Sequence, residues 1–143
     1  TVQRLRDSHY RFSEFLSMHW ITVALGGAVG AVFRFAVTRA EQQFAIAALW
    51  PLATFTVNIL GSACIGFLYV VIVEQQSLSE EWRYPLMAGF LGAFTTFSTF
   101  ALESVTLMQN GKVGLAFAYI VASVALCLLG CWLGMMFGRL MLS

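Results

Sequence analysis

The sequence predicts an all-α membrane protein of four transmembrane helices. Three observations carry that expectation: 59% of the 143 residues are hydrophobic, only 10% are charged, and the charges gather at breaks between long apolar runs. A soluble domain carries about 25% charged residues to cover its surface. A membrane helix takes about 20 predominantly apolar residues, so four of them nearly exhaust the chain and leave no room in it for a second domain.

The breaks set the boundaries. Arg4, Arg6, Asp7, Arg11 and Glu14 crowd the N-terminus, Arg39 and Glu41 mark one break, Glu74, Glu80, Glu81 and Arg83 another, and Lys112 and Arg139 stand alone. Residues 1–19 therefore read as a polar tail and residues 20–143 as the membrane domain, with spans at about 20–37, 50–73, 84–108 and 113–142. The runs are too long and too continuously apolar for barrel strands, so helices are expected. In the tail, Val2, Leu5, Phe12 and Leu16 recur at helical spacing opposite Arg4, Arg6 and Arg11. That pattern fits either an interfacial amphipathic helix or an unstructured lead.

Span one carries Gly26 and Gly30, and span four carries Gly130, Gly134 and Gly138, each set spaced four apart on one helix face. Such stripes let helices approach closely in lipid and point to a compact bundle or an oligomer. Span two places Thr54 and Asn58 on one face of an otherwise apolar helix. An asparagine in hydrocarbon must be paired or wet, so Asn58 is either interhelical glue or a donor lining a polar path.

Span three holds the densest pattern, Gly89-Phe90-Leu91-Gly92-Ala93-Phe94-Thr95-Thr96-Phe97-Ser98-Thr99-Phe100. Glycines followed by hydroxyl residues weaken a continuous helix, and a break is expected between Gly92 and Thr96. Unwound backbone at membrane depth is tolerated only inside protein or beside a water-filled cavity, where its free groups make ion sites. Beyond the break, Phe97 and Phe100 share a face. Glu103 is the one carboxylate within an apolar run, and either hydrogen bonds to third-helix hydroxyls or a place at the membrane edge would accommodate it.

Several function classes are excluded. A net charge of +1 with no basic stripe argues against nucleic-acid binding. Cys64, Cys127 and Cys131 all fall in apolar spans without companions for a zinc site, which favours packing over metal or redox chemistry. His9 and His19 lie in the tail, so no buried nucleophile–histidine pair can be drawn and an enzyme is not expected. No nucleotide-binding motif is present, so nucleotide-driven transport is not expected.

Orientation is weakly specified. Apart from the tail, Arg83 and Arg139 fall on one side, and Arg39 and Lys112, with Arg34 nearby, on the other. Counting Arg4, Arg6 and Arg11 of the tail gives five basic residues against two or three, a modest preference for both termini inside. With so little bias the chain could insert both ways, and two opposite copies could associate as an inverted pair.

From Leu25 to Arg139 the chain resembles the Fluc/CrcB family of small fluoride channels. The resemblance is carried by Gly26-Gly27-Ala28-Val29-Gly30 with Arg34, by Thr56-Val57-Asn58-Ile59-Leu60-Gly61-Ser62 with Gly66, and above all by Gly92-Ala93-Phe94-Thr95-Thr96-Phe97-Ser98-Thr99-Phe100 followed by Glu103. It implies an inverted, dual-topology homodimer of four-helix subunits with a broken third helix and two antiparallel fluoride pores. By matching position, Asn58 would donate to fluoride, and Phe97 and Phe100 would form an aromatic box. Backbone carbonyls of Gly92 and Thr95 would hold a structural Na+ at the dimer interface. Arg34 would sit toward the aqueous vestibule. Tyr119, Ser123 and position 127 would continue a polar track, with Cys127 where a hydroxyl residue is often found. Thr54, Ser98 and Thr99 join the candidate pore residues as neutral hydroxyls beside these groups. The expected activity is export of cytoplasmic fluoride across the cell (plasma or inner) membrane, conferring fluoride resistance. Two rivals are a proton-coupled multidrug exporter with Glu103 as proton carrier and a non-transporting membrane scaffold. The exporter pattern places its carboxylate in the first span, where this chain has none.

Overall fold

In a computed structural model, the backbone of residues 2–42 and 50–142 is described, with side chains from residue 18 onward. The amphipathic pattern of Val2, Leu5, Phe12 and Leu16 lies outside the described side chains. Helix α1 runs from Val2 to Glu41 without interruption, so tail and first span share one helix. Helix α2 spans Leu52–Tyr69 and is prolonged by a π-helical turn, Val70–Glu74. The third span begins with a single 3-10 turn, Glu80–Trp82, and a wide π-helical stretch, Arg83–Leu91, which contains Pro85. Proline has no amide hydrogen to give to a regular α-ladder. The span continues through the short α3, Gly92–Phe94, and resumes after a break as α4, Phe97–Gln109. Helix α5 is an unbroken Val113–Leu142.

Among the described residues, four segments are long and apolar enough to cross a membrane: Met18–Glu41, Leu52–Glu74, Glu80–Gln109 and Val113–Leu142. These segments overlap the four apolar runs of the sequence, with the third and the first reaching a few residues further. Large apolar side chains such as Trp20, Leu25, Phe35 and Leu140 point outward, as lipid-facing residues must.

The helices pack as two close pairs, α1 against Arg83–Leu91 with α3, and α2 against α5. Glycine makes both approaches. A Cβ on Gly26 would strike the Pro85 carbonyl, and one on Gly30 the Phe90 carbonyl. On the other pair, a Cβ on Gly66 would strike the Cys131 carbonyl and one on Gly134 the Ala63 carbonyl. The glycine stripes are thus occupied within the subunit, in backbone-to-backbone contact of the kind small residues permit in lipid. Past the break, α4 leaves α1 and packs on α5.

Candidate functional site

The third span is interrupted at two residues. Thr95 (φ −84°, ψ 158°) and Thr96 (φ −151°, ψ 114°) are extended. The Thr95 side chain turns back on the preceding helix, donating from Oγ1 to Leu91 O at 2.9 Å. Thr96 caps α4: its Oγ1 accepts the Thr99 amide at 3.2 Å, lies 3.0 Å from Thr99 Oγ1 and 3.3 Å from Ser98 Oγ. A threonine with extended backbone at a helix start is a favoured N-cap.

Helix α2 supports the break. Gly61 lets it come close, since a Cβ there would collide with Thr95 Cγ2. Asn58 then grips Thr96 twice: its Oδ1 accepts the Thr96 amide at 2.8 Å and its Nδ2 donates to Thr96 O at 3.1 Å. An asparagine amide carries two N–H donors, so one remains for another acceptor.

These bonds release carbonyls. In an unbroken α-helix the amides of Thr96 and Thr99 would bond Gly92 O and Thr95 O, but here they go to Asn58 Oδ1 and Thr96 Oγ1. A third carbonyl left by the break, Ala93 O, accepts Arg34 Nε at 3.0 Å. Arg34, expected toward a vestibule, is thus half-buried and tied to the break by that bond.

An open groove of about 390 Å³ lies against this junction, lined by Asn58, Gly61, Ser62, Ile65, Leu91, Gly92, Thr95, Thr96, Phe97, Phe100, Ser123, Val124, Cys127 and Leu128. It brings together Asn58, Gly92, Thr95, Phe97, Phe100, Ser123 and Cys127 from the sequence expectation. The Phe97 and Phe100 rings lie 5.5 Å apart at 50°. Their settings differ sharply, Phe97 being 77% exposed and Phe100 only 8%. Ser123 is buried, and its Oγ is the one buried side-chain polar atom among the described residues without a hydrogen-bond partner.

Four expected pore residues are not among the groove's lining. Ser98 and Thr99 are drawn to Thr96. Thr54 and Tyr119 both turn to Glu103, donating to Oε1 and Oε2 at 2.8 Å each. Glu103, for which the sequence left open third-helix hydroxyls or a place at the membrane edge, is accommodated by hydroxyls on α2 and α5, and this bridge joins α2, α4 and α5. Above it, Tyr119 packs against Phe100 (ring centroids 5.3 Å), Trp50 (5.6 Å) and Phe55 (6.4 Å).

Thr96, expected only as the end of the break and not as a site residue, is central to the junction. Its signal in the sequence is a threonine three residues before Thr99 at the start of a helix, the spacing of an N-cap. Among the described residues, no group of three or more histidine, cysteine or acidic side chains is gathered to hold a metal. The released Gly92 and Thr95 carbonyls are hard, neutral oxygen donors of the kind that suits an alkali cation at a broken helix.

Comparison with known proteins matches residues 21–135 to the model for "CrcB-like protein, Camphor Resistance (CrcB)". The chain is 51% identical over 107 residues to the fluoride-specific ion channel FluC of Saccharophagus degradans, covering 75% of this chain and 79% of that one. It is 46% identical over 121 residues to the protein of the same name from Idiomarina loihiensis (85% and 92% covered) and 42% identical over 118 residues to that of Magnetococcus marinus (82% and 95% covered). A family match over residues 21–135, most of the sequence, places this chain in the CrcB family.

Proposed function

We propose that the chain is a passive, fluoride-selective ion channel, a multi-pass membrane protein with no enzymatic activity. The observation that carries this reading is the groove at the break, where neutral donors and aromatic rings converge. Its relatives' name points the same way.

Fluoride is small and strongly hydrated, so a selective path must replace its water with well-placed donors without forming a deep trap. The second Asn58 N–H and the unpartnered Ser123 hydroxyl are such donors. Neither carries charge, so release is not slowed as it would be beside a buried lysine or arginine. The Phe97 and Phe100 rings can present edges, the positive part of the aromatic quadrupole, to an anion, and they narrow the path against larger ions. Fluoride then moves down its electrochemical gradient, outward in a cell with a negative interior. In the plasma or inner membrane, that direction of flow protects the cell from fluoride.

The working unit in this proposal is an inverted homodimer. Phe97 is exposed in the single chain beside the open groove, as a residue completed by a second copy would be. Weak charge bias supports dual insertion. The released carbonyls of Gly92 and Thr95, met by their equivalents from the second copy, would hold Na+, whose charge would raise the local potential for anions. Residues 20–143 form the channel domain and residues 1–19 a lead segment outside it.

The exporter reading is not favoured. Glu103 does not line the groove, and both of its oxygens are engaged by Thr54 and Tyr119. A scaffold would leave the groove and the gripped break without a use. The deciding experiment is release of fluoride from liposomes containing the purified protein, followed with a fluoride electrode and repeated with chloride. Fast fluoride release with negligible chloride release is expected. Release of neither ion from well-folded protein would overturn the channel assignment.

A further inference from the structure

The three cysteines of the chain do not share one environment. Cys64 is exposed on the surface of α2, within a segment long and apolar enough to cross a membrane. Cys131 is half-buried, and its backbone lies in the close contact between α5 and Gly66. Only Cys127 lines the groove that also holds Asn58 and Phe100.

A thiol in apolar surroundings is inert, because the reactive species is the thiolate and it needs a polar medium. Whether water reaches Cys127 is answered by its neighbour one helical turn earlier. Ser123 is 5% exposed, lines the same groove, and has no partner for its hydroxyl. Buried polar groups are almost always satisfied, by protein, water or an ion. A water molecule or an anion in the groove that Ser123 lines would supply the missing partner, and residues four apart on a helix lie on the same face.

We infer that Cys127 is a thiol-modification site inside the anion path, open to small water-soluble thiosulfonates and disulfides, and that its adduct blocks conduction reversibly. This rests on the groove being the fluoride path. The step is ordinary thiol exchange: water takes the thiol proton, the thiolate attacks a sulfenyl sulfur, a new S–S bond forms on Cys127, and the S–S bond of the reagent breaks with its sulfinate or thiolate leaving. A thiol reductant reverses it.

The test uses the intact protein in liposomes, treated with sulfonatoethyl methanethiosulfonate. Fluoride release and the mass of the cysteine-containing peptides are read on the same sample. The expected result is an adduct on Cys127, a fall in fluoride release of tenfold or more, and recovery with dithiothreitol. The double variant Cys64→Ser/Cys131→Ser should remain sensitive, and Cys127→Ser should become insensitive whatever its own starting rate. An adduct on Cys127 with undiminished release, or labelling of Cys64 and Cys131 with none on Cys127, would overturn the inference. Protein that releases no fluoride before treatment would instead overturn the channel reading, and the peptide masses would still decide whether Cys127 is reached by water.

Discussion

The two halves of the third span are held by different forces. Before the break, Arg83–Leu91 and α3 lie on α1 through glycine contacts, with Arg34 supplying a side-chain bond to Ala93 O. After it, α4 is held by polar side chains: Thr54 and Tyr119 converge on Glu103, and Asn58 grips Thr96 at its first turn. Close packing fixes position without specifying direction, and it holds the half that brings only Leu91 and Gly92 to the groove. Hydrogen bonds fix direction as well as distance, and they hold the half whose backbone and rings border the groove. Asn58 clamps the break with its oxygen and one hydrogen, and its second N–H is the donor that the proposed path would use.

The junction is where a substitution should do most damage. Asn58→Asp keeps an acceptor for the Thr96 amide but loses the donor and sets a carboxylate in the anion path. Two like charges about 4 Å apart at an effective dielectric of about 20 repel by about 4 kcal/mol, so fluoride efflux from liposomes should fall roughly a thousandfold while the protein still elutes as a folded species. Undiminished efflux would remove Asn58 from the path.

The packed half should answer to volume. Gly30→Leu forces a side chain into the Phe90 backbone, and overpacking of this kind costs about 3 kcal/mol or more where neither backbone can yield. The expected outcome is a large drop in melting temperature in detergent, with loss of flux as a consequence of loss of fold. A variant of ordinary stability would show that α1 can stand off from the third span.

The hydrogen-bonded half should answer to charge and polarity more gently. Glu103→Gln exchanges a carboxylate acceptor for an amide facing the same two hydroxyls, and stability should drop by about 1–2 kcal/mol, the difference between bonds to charged and neutral groups. Fluoride release should persist. Complete loss of transport, together with dependence on a proton gradient in the unsubstituted protein, would restore the exporter reading.

The smallest effect on stability, and the finest comparison, lies within the aromatic pair. Phe97→Ile alters an exposed ring and should leave stability within about 0.5 kcal/mol, whereas Phe100→Ile removes a buried ring from the Phe97 and Tyr119 contacts and should cost measurably more. Both should lower fluoride flux by roughly fivefold if each ring contributes an interaction of about 1 kcal/mol to the ion. Normal flux in both would reduce the pair to packing.

Much of this was legible in one dimension. Spans follow from continuous apolar runs because the bilayer demands about 20 such residues regardless of what they pack against. The break was readable from Gly92, Thr95 and Thr96, since glycine and hydroxyl residues weaken a helix locally. Asn58, Phe97, Phe100 and Ser123 were placed by pattern and by family resemblance, and all four border the groove.

Partnership was not legible, because in an apolar bundle a hydroxyl bonds whichever polar atom the neighbouring helix delivers. Thr54 and Asn58 sit on one face of α2 and are indistinguishable by spacing, yet one is bound to Glu103 on α4 and the other to Thr96 at the break. Ser98 and Thr99 were drawn to the Thr96 cap, and Arg34 to a carbonyl that exists as an acceptor only because the helix stops there. Composition and local propensity decide where helices form and where one fails, since those depend on each residue's own solvation and backbone preference. Which side chains compensate the failure depends on distances between helices remote in sequence, and these were set by the tertiary fold.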